Sequence, residues 1–381
     1  MPPNRILFIK TGNFSFINDN IYKALHGAMH NTLIDVIDVG KIWKRGLPVY
    51  VYALNVFYFF KEYARDFIRG YKKRKDVISF FFATSYIARQ TRKALQRKVQ
   101  DKKYMFTLQT QSLFNGKIQK TPNFIYTDHT TRSNLLYPDI EPKEYLRSES
   151  FIENTEKDIY RDADMIFTCG SLPGYSLVHQ YHIREDKVRT VFAGSNLEGR
   201  YVENPGKYTR RNLLFVGVEW ERKGGPLALK VFERILQRYP DATLTIVGCT
   251  PENIHLPHCE VAGKVSPERI IDFYNRASIF FLPTRREPFG IVFLEAMYYR
   301  LPIIASHVGS LADMVSNGYN GFLVDQGEDE YVRRISQLFD NPEMAEEMGK
   351  NGYKRMSTQF TWDKVAMNMK DQIEHHLNLV L

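Results

Sequence analysis

The sequence predicts an α/β protein made of two similar doubly wound halves. Three observations carry this. Short apolar stretches alternate with longer amphipathic ones, the rhythm of strand–helix–strand units with parallel sheets. The alternation breaks in a polar, Gly/Pro-containing stretch at 199–210 (GRYVENPGKYTR) and then starts again. The length, 381 residues, is that of two ordinary domains. The predicted organisation is a domain over 1–198, a linker over 199–210, a domain over 211–360 and a C-terminal helix over 361–381 that packs back toward the first domain. Two facing halves leave a cleft, and open α/β sheets bind ligands beyond the carboxyl ends of their strands.

In the first half, Arg5–Ile9 (RILFI) reads as a strand, Thr11-Gly12-Asn13 as a turn and Asn18–Met29 as a helix. Leu33–Val39, Val77–Ala83 and Asn123–Tyr126 read as further strands. Ala163–Cys169 is a strand, Leu172–Tyr181 a helix, and Lys187–Phe192 closes the half. In the second half the strands are Asn212–Gly217, Ala242–Gly248, Ile279–Pro283, Pro302–Ser306 and Gly321–Val324. The helices are Pro226–Tyr239, Pro267–Ala277, Ile291–Arg300, Glu330–Phe339, Asn341–Gln359 and Trp362–Leu379. No internal repeat or low-complexity tract interrupts this order.

Composition excludes several classes. Hydrophobic residues at 44% and charged residues at 25% are globular values, and Gly and Pro contents rule out collagen-like and low-complexity chains. Three cysteines, Cys169, Cys249 and Cys259, form neither an even disulfide framework nor a zinc or redox spacing. The N-terminal apolar run Ile6–Ile9 is too short for a signal-peptide core. The longest apolar-aromatic run, Val49 to Phe60, is twelve residues, against about 20 for a spanning helix. The expectation is a cytoplasmic protein that does not cross a membrane. Charge is uneven. Lys41–Lys103 holds 17 Lys/Arg against Glu62, Asp66, Asp76 and Asp101, a surplus of 13 in a chain whose net charge is +9. Such a patch attracts an anionic membrane, an acidic substrate or nucleic acid.

Two segments carry chemistry. The first is Arg285-Arg286-Glu287-Pro288-Phe289-Gly290-Ile291-Val292-Phe293-Leu294-Glu295-Ala296. A strand ends before it and an apolar helix begins near Ile291. The first free N–H groups, around Gly290 to Phe293, make an anion site. Glu287 and Glu295 place acceptors on either side, which suits a ligand bearing phosphate and hydroxyls, such as a nucleotide sugar. The plainer alternative is a favourable acid near a helix start plus a solvated glutamate. The second segment is Phe215-Val216-Gly217-Val218-Glu219-Trp220-Glu221-Arg222-Lys223-Gly224-Gly225-Pro226. Arg222 and Lys223 lie at a loop tip between strand and helix, able to hold phosphate oxygens by fork and by point charge. Alone, such a pair is equally a solvated basic turn.

Together these segments resemble family 4 of the retaining GT-B glycosyltransferases (glycosyl transferases group 1). The resemblance rests on Glu287-x7-Glu295 and on the strand-end Gly217 followed by Lys223-Gly224. It extends to Thr245-Ile246-Val247-Gly248, Gly263-Lys264-Val265, Pro302-Ile303-Ile304-Ala305-Ser306 and Asn320-Gly321-Phe322-Leu323-Val324. The arginine usual directly after the glycine is Val218 here, with Arg222 as its substitute. More loosely, Tyr126-Thr127-Asp128-His129-Thr130-Thr131 occupies the place where the family keeps a histidine near the reacting sugar, and the Lys10-Thr11-Gly12-Asn13 turn matches its first loop with one glycine instead of two.

The resemblance implies two Rossmann-like domains facing each other across a cleft, the first binding acceptor and the second binding a nucleotide diphosphate-sugar of UDP or GDP type. It implies transfer to a hydroxyl with retention at the anomeric carbon. His129, Arg222, Lys223 and Glu287 would be the catalytic residues. Gly12, Gly217, Lys264, Val265, Phe289, Gly290, Ile291, Val292 and Glu295 would join Arg222, Lys223 and Glu287 around the donor, with Glu295 on the ribose, Glu287 on the sugar and the main chain at Lys264-Val265 on the base. A leaving-group phosphate oxygen would take the acceptor proton. No DxD-like motif lies in the donor segments, so no metal and no cofactor are expected. A phosphorylase or a small-acceptor transferase on the same architecture is the neighbouring alternative. A basic nucleic-acid binder is the alternative from another class, but no RNA-binding motif accompanies the patch.

The acceptor side rests on the basic region. Tyr50–Lys75 interleaves aromatic and aliphatic residues with Lys61, Arg65, Arg69, Lys72, Lys73, Arg74 and Lys75. It reads as a membrane-interface or acceptor surface, with a core helix bearing a solvated basic face as the alternative. The resemblance favours the inner face of the cell membrane and a lipid-linked or surface-polysaccharide acceptor of lipopolysaccharide, capsule or exopolysaccharide type.

Overall fold

A computed structural model of the chain describes residues 5–12, 17–68, 81–118, 120–137, 149, 151–197, 199–252, 254, 256–325 and 327–380, with the side chains of 64–68, 154 and 379–380 outside the description. The chain forms two compact units, Met1–Phe192 with Val365–Leu381, and Ala193–Lys364.

The first unit is built on six parallel strands: β1 (Arg5–Lys10), β2 (Leu33–Asp38), β3 (Thr107–Thr110), β4 (Asn123–Thr127), β5 (Met165–Thr168) and β6 (Val188–Thr190). Their order is β2-β1-β3-β4-β5-β6. The chain therefore winds one way from β1 and the other way from β3, and the switch point lies between those two strands. The helices that use this sheet are α1 (Ile17–Ala28), α2 (Val49–Ile68), α3 (Ser85–Val99) and α4 (Ser171–His179).

The strand expected over Val77–Ala83 is not found in its described part: Phe81 is helical and Phe82–Ala83 form a turn leading into α3, while 77–80 lie outside the described residues. The third strand is instead β3, whose sequence TLQT carries a single aliphatic residue. The reason is Gln109. It is fully buried, and its amide donates to the carbonyls of Gln111 (2.8 Å) and Phe114 (2.9 Å) and accepts from the Gly116 amide (2.8 Å). One polar side chain thus satisfies three backbone groups of the loop 111–116, and the strand reads as polar while lying in the core.

The second unit repeats the plan with β7 (Asn212–Val216), β8 (Thr243–Val247), β9 (Cys259–Gly263), β10 (Ile279–Leu282), β11 (Ile303–Ser306) and β12 (Gly321–Val324), all parallel, in the order β12-β11-β10-β7-β8-β9. The switch point lies between β10 and β7. Its helices are α5 (Gly225–Arg238), α6 (Pro267–Arg276), α7 (Ile291–Tyr298), α8 (Glu328–Asp340) and α9 (Pro342–Gln359). β9 is an edge strand of intermediate exposure, which explains its missing apolar signature. Residues 199–210, expected as a linker, belong to this unit, and Lys207 is buried in it at 1% exposure. The last helix, α10 (Trp362–Val380), contributes Val365, Ala366, Met369 and Ile373 as buried residues of the first unit.

α2 is apolar on both sides. Val51, Phe59 and Tyr63 are buried on its inner side, where Asn55 donates to the Phe81 carbonyl (2.6 Å) and the Tyr63 hydroxyl donates to the Ala83 carbonyl (3.0 Å), and Glu62 accepts from the Ser85 amide (2.9 Å) at the start of α3. Its outward side carries Val49, Tyr50, Leu54, Val56, Phe57 and Phe60, all exposed, before Lys61 adds the first charge. No described helix is long and apolar enough to cross a membrane. The three cysteines are free thiols, and burial pushes each above its ordinary value.

Gln109→Leu keeps the side-chain size but leaves three buried backbone groups without partners, each costing about 1–3 kcal/mol. Urea unfolding is expected to show a loss of about 3 kcal/mol or more, and a loss below about 0.5 kcal/mol would refute the assigned role.

Candidate active site

The loops that follow β7 and β10 meet beyond the carboxyl ends of those strands, beside the switch point of the second sheet. Lys223 comes from the first loop and Glu287 from the second. Their ammonium and carboxylate form an ion pair in which both residues are buried, at 7% and 5% exposure. Gly217 makes this possible: a Cβ there would sit 2.7 Å from Lys223 Cγ, so only glycine lets the lysine stem pass over the strand end. The two loops are also tied through backbone. The Arg222 carbonyl accepts from the Arg285 amide (2.9 Å), and the Thr284 hydroxyl bridges the carbonyls of Arg222 (3.3 Å) and Arg286 (3.1 Å). The Arg222 guanidinium turns to Glu219 (2.6 Å) and to the Arg286 carbonyl (2.7 Å), and so clamps the loops where the sequence places it on a phosphate.

Helix α7 starts at this cluster. Gly290 caps it with φ 97°, a left-handed conformation, and a Cβ there would meet the Phe293 ring at 2.6 Å. The preceding Phe289 is buried, whereas Ile291 and Val292 are half-buried at the first turn. Glu295 lies one turn in, buried, and accepts from the Tyr274 hydroxyl of α6 at 3.0 Å. Burial pushes the Glu295 carboxyl up to about 7, opposed by the Tyr274 hydrogen bond and the Lys223 charge, both of which favour the anion. The cluster therefore offers an ammonium, helix-start amides, the Glu287 carboxylate paired with Lys223 and a second carboxyl, Glu295, poised to change state near neutrality. Lys264 and Val265 follow β9 at the same carboxyl edge, with Lys264 exposed and Val265 half-buried. Among the described residues, no group of three His, Cys, Asp or Glu is placed to hold a metal ion.

In the first unit, His129 follows β4, also at a carboxyl edge. Its Nδ1 lies 2.7 Å from Asp128 Oδ1, and the side chain remains 35% exposed. Burial opposes charge on both groups, yet the pair wins: Asp128 is held below its ordinary value, and the Asp128 carboxylate followed by the field of Glu156 raises His129 to about 9. Glu156 is the residue that the sequence does not reveal. Fully buried at 1%, it accepts from the Ser112 hydroxyl (3.1 Å), the Thr131 amide (3.1 Å), the Tyr160 hydroxyl (3.0 Å) and the Tyr181 hydroxyl. Tyr160 is four residues on, but the other three donors lie 25 to 44 residues away, so local spacing does not announce it. Gly12 ends β1 in a left-handed turn (φ 58°), its amide on Asp38 (3.1 Å) and its carbonyl accepting from Asn18 (3.0 Å). Of the basic residues, Lys61 is exposed at the end of the apolar side of α2. The Arg65 side chain and Arg69, Lys72, Lys73, Arg74 and Lys75 lie outside the described residues.

Residues 201–355 match the family described as glycosyl transferases group 1. An uncharacterised glycosyltransferase from Methanocaldococcus jannaschii is 30% identical over 200 residues, which are 50% of this chain and 54% of that protein. The chain thus spans about half the length of that curated relative. Among solved structures, the sucrose-phosphate synthase from Thermosynechococcus elongatus superposes with a TM-score of 0.70 at 17% identity, over 99% of this chain and all of that one. Anabaena HepE, solved with UDP and glucose, superposes with a TM-score of 0.60 at 13% identity, over 97% of this chain and 99% of that one. The buried Lys223–Glu287–Glu295 cluster falls inside the matched segment, and both six-stranded sheets fall inside the superposed fold. Residues 201–355 accordingly resemble the glycosyl transferases group 1 family, and the chain is carried on a fold of the GT-B kind.

Proposed function

We propose that the chain is a metal-independent, retaining glycosyltransferase that moves a sugar from a nucleotide diphosphate donor of UDP or GDP type to a hydroxyl of a glycan acceptor. The observation that carries this reading is the burial of Lys223, Glu287 and Glu295 together at the switch point beside the α7 start. A diphosphate suits the Lys223 ammonium and the amides of Gly290, Ile291 and Val292, and their fixed charge stabilises the leaving group as it forms. Arg222 joins it by exchanging Glu219 for a phosphate oxygen. Glu295 accepts from ribose hydroxyls, Glu287 from hydroxyls of the sugar, and the main chain at Lys264-Val265 meets the base. The leaving phosphate oxygen takes the acceptor proton, so no further carboxylate base is needed. The UDP and glucose held by HepE support this donor class.

The acceptor class follows from α2. A helix that buries Val51, Phe59 and Tyr63 on one side and still exposes Tyr50, Leu54, Phe57 and Phe60 on the other carries a second apolar face toward whatever lies outside the unit. Exposed Lys41, Lys44 and Arg45 precede it, and exposed Lys61 lies within it just past that face. Aromatic and aliphatic residues rimmed by cations fit the interface of an anionic membrane. The chain then works as a peripheral protein on the inner face of the cell membrane, with a lipid-linked or surface-polysaccharide acceptor.

Three outcomes test this. Lys223→Ala should cut turnover by roughly 10²–10³, the scale for one preorganised donor of charge. Glu295→Ala should mainly weaken the free nucleotide in calorimetry, whereas Glu287→Ala should lower kcat as well. Unchanged turnover in the lysine variant, or reversed roles for the glutamates, would sink the assignment.

His129 gives a pH signature. Its folded value of about 9 lies above the ordinary 6.5, so its stabilisation is complete below about 6.5 and lost as pH rises through 9. Melting curves of wild type and His129→Gln should converge between those limits. Parallel curves would mean that the imidazolium is not held by Asp128.

The protein should co-sediment with anionic vesicles and be only partly released at 1 M salt, where the Debye length has fallen to about 3 Å from about 10 Å at 0.1 M. Replacing Tyr50, Leu54 and Phe57 with Ser should abolish the salt-resistant fraction and leave nucleotide affinity, which belongs to the other unit, unchanged. Salt-resistant binding that survives those substitutions would place the contact elsewhere.

A further inference from the structure

Lys207 is buried among carbonyls and rings, and among the described residues no carboxylate pairs with it. Its Nζ donates to the Tyr299 carbonyl at 2.7 Å and to the Tyr274 carbonyl at 3.3 Å, with the Tyr201 and Tyr208 rings 5.5 and 5.9 Å away. Both acceptors lie at helix C-terminal ends. Tyr274 is in the last turn of α6 and Tyr299 is the cap of α7. The amides four residues on are engaged elsewhere, Ser278 N–H on Asn212 and Ile303 N–H on Asn320. These are carbonyls that a helix leaves without a partner, at the negative end of its dipole. One side chain closes both helices at once. Its backbone is fixed in turn, because the Ser278 hydroxyl donates to the Lys207 carbonyl at 2.6 Å.

The same two helices carry the donor cluster. Glu295 projects from α7 and Tyr274 from α6, and the two are joined by the 3.0 Å hydrogen bond. The rings of Tyr274 and Tyr299 stack with centroids 5.3 Å apart and planes 6° from parallel. α7 has eight residues, so its Gly290 end and its Tyr299 end cannot shift independently. We propose that Lys207 is a positioning residue for the donor site: by holding the C-terminal ends of α6 and α7 together it fixes the Tyr274–Glu295 contact that presents Glu295 to the nucleotide. The nucleotide half of this inference rests on the donor reading above; the clamp itself does not. Burial, followed by the Arg300 guanidinium, lowers Lys207 to about 7. A neutral amine still has two N–H groups, as many as the two carbonyls require, so the clamp holds on both sides of neutrality.

The clamp is read in ligand-free protein by following the Glu295 carboxyl with carbon NMR through a pH titration, its signal assigned by difference against Glu295→Gln. Among the described residues, the charged and titratable groups around that carboxyl are Tyr274, Tyr299 and Lys223, the last paired with Glu287. Tyr274→Phe removes a hydrogen bond that favours the anion, so Glu295 should titrate higher than in wild type. Lys207→Met should move it the same way, and the double variant should move it no further. UDP or GDP affinity, measured by calorimetry, should fall about tenfold in each single variant, the scale of one lost hydrogen bond. A Lys207→Met protein whose Glu295 titrates as in wild type, or single shifts that add in the double variant, would overturn the proposal whatever happens to the melting temperature. If Lys207→Met does not fold, Lys207→Gln is read in the same way. Wild type that binds neither nucleotide removes the donor reading, and the Glu295 titration still decides the clamp.

Discussion

The cluster at the carboxyl edge of the second sheet depends on the buried pairing of Lys223 with Glu287. Each charge alone in that position would be costly, because removing one partner of a buried pair leaves an uncompensated ion and typically destabilises by about 3–5 kcal/mol. Together they can be buried only if the loops after β7 and β10 hold one geometry, and the backbone bonds through Arg222, Arg285 and Thr284 supply it. Glu295 experiences the same surroundings differently. Among the described residues it makes no ion pair, and it is pushed toward neutrality by burial, with Tyr274 and Lys223 restraining the shift. Two glutamates eight positions apart thereby acquire different chemistry from position alone.

Both units place their polar clusters where the winding direction of a parallel sheet reverses or at the neighbouring carboxyl edges. At such a point adjacent loops diverge and backbone amides become available, which is why charge can be gathered there without breaking the sheet. In the first unit Glu156 plays a part comparable to that of the second unit's ion pair. Held by four donors, it fixes the segments around Ser112, Thr131, Tyr160 and Tyr181, and its field reaches His129. Both clusters are buried and gather their hydrogen bonds from several segments.

What the sequence made legible was whatever repeats locally. Strands such as Ile279–Leu282 and Ile303–Ser306 are continuous apolar runs because both faces are covered, and the loop from Glu287 to Glu295 has its chemistry within a few residues. What stayed hidden depends on partners distant in the chain. β3 carries no strand signature because Gln109 serves residues 111–116, and the more apolar run at 77–83 takes the strand assignment instead. Lys207 read as part of a polar linker because nothing nearby shows that its acceptors lie 67 and 92 residues further on. α2 was recognised as apolar and basic, but which side faced outward required the positions of Phe81 and Ser85.

The division of the chain has a consequence for its birth on the ribosome. The second unit is one continuous stretch, Ala193–Lys364, whereas the first needs Val365–Leu381 to be complete. At about 5–20 residues per second, synthesis of the intervening stretch takes roughly ten to thirty seconds. Throughout that interval the places later filled by Met369 and Ile373 stand empty, and Phe124 lacks the edge-on His376 ring, 5.6 Å away in the finished protein. The unit synthesised first is therefore the last to close, and its half-built core is the surface a chaperone would meet.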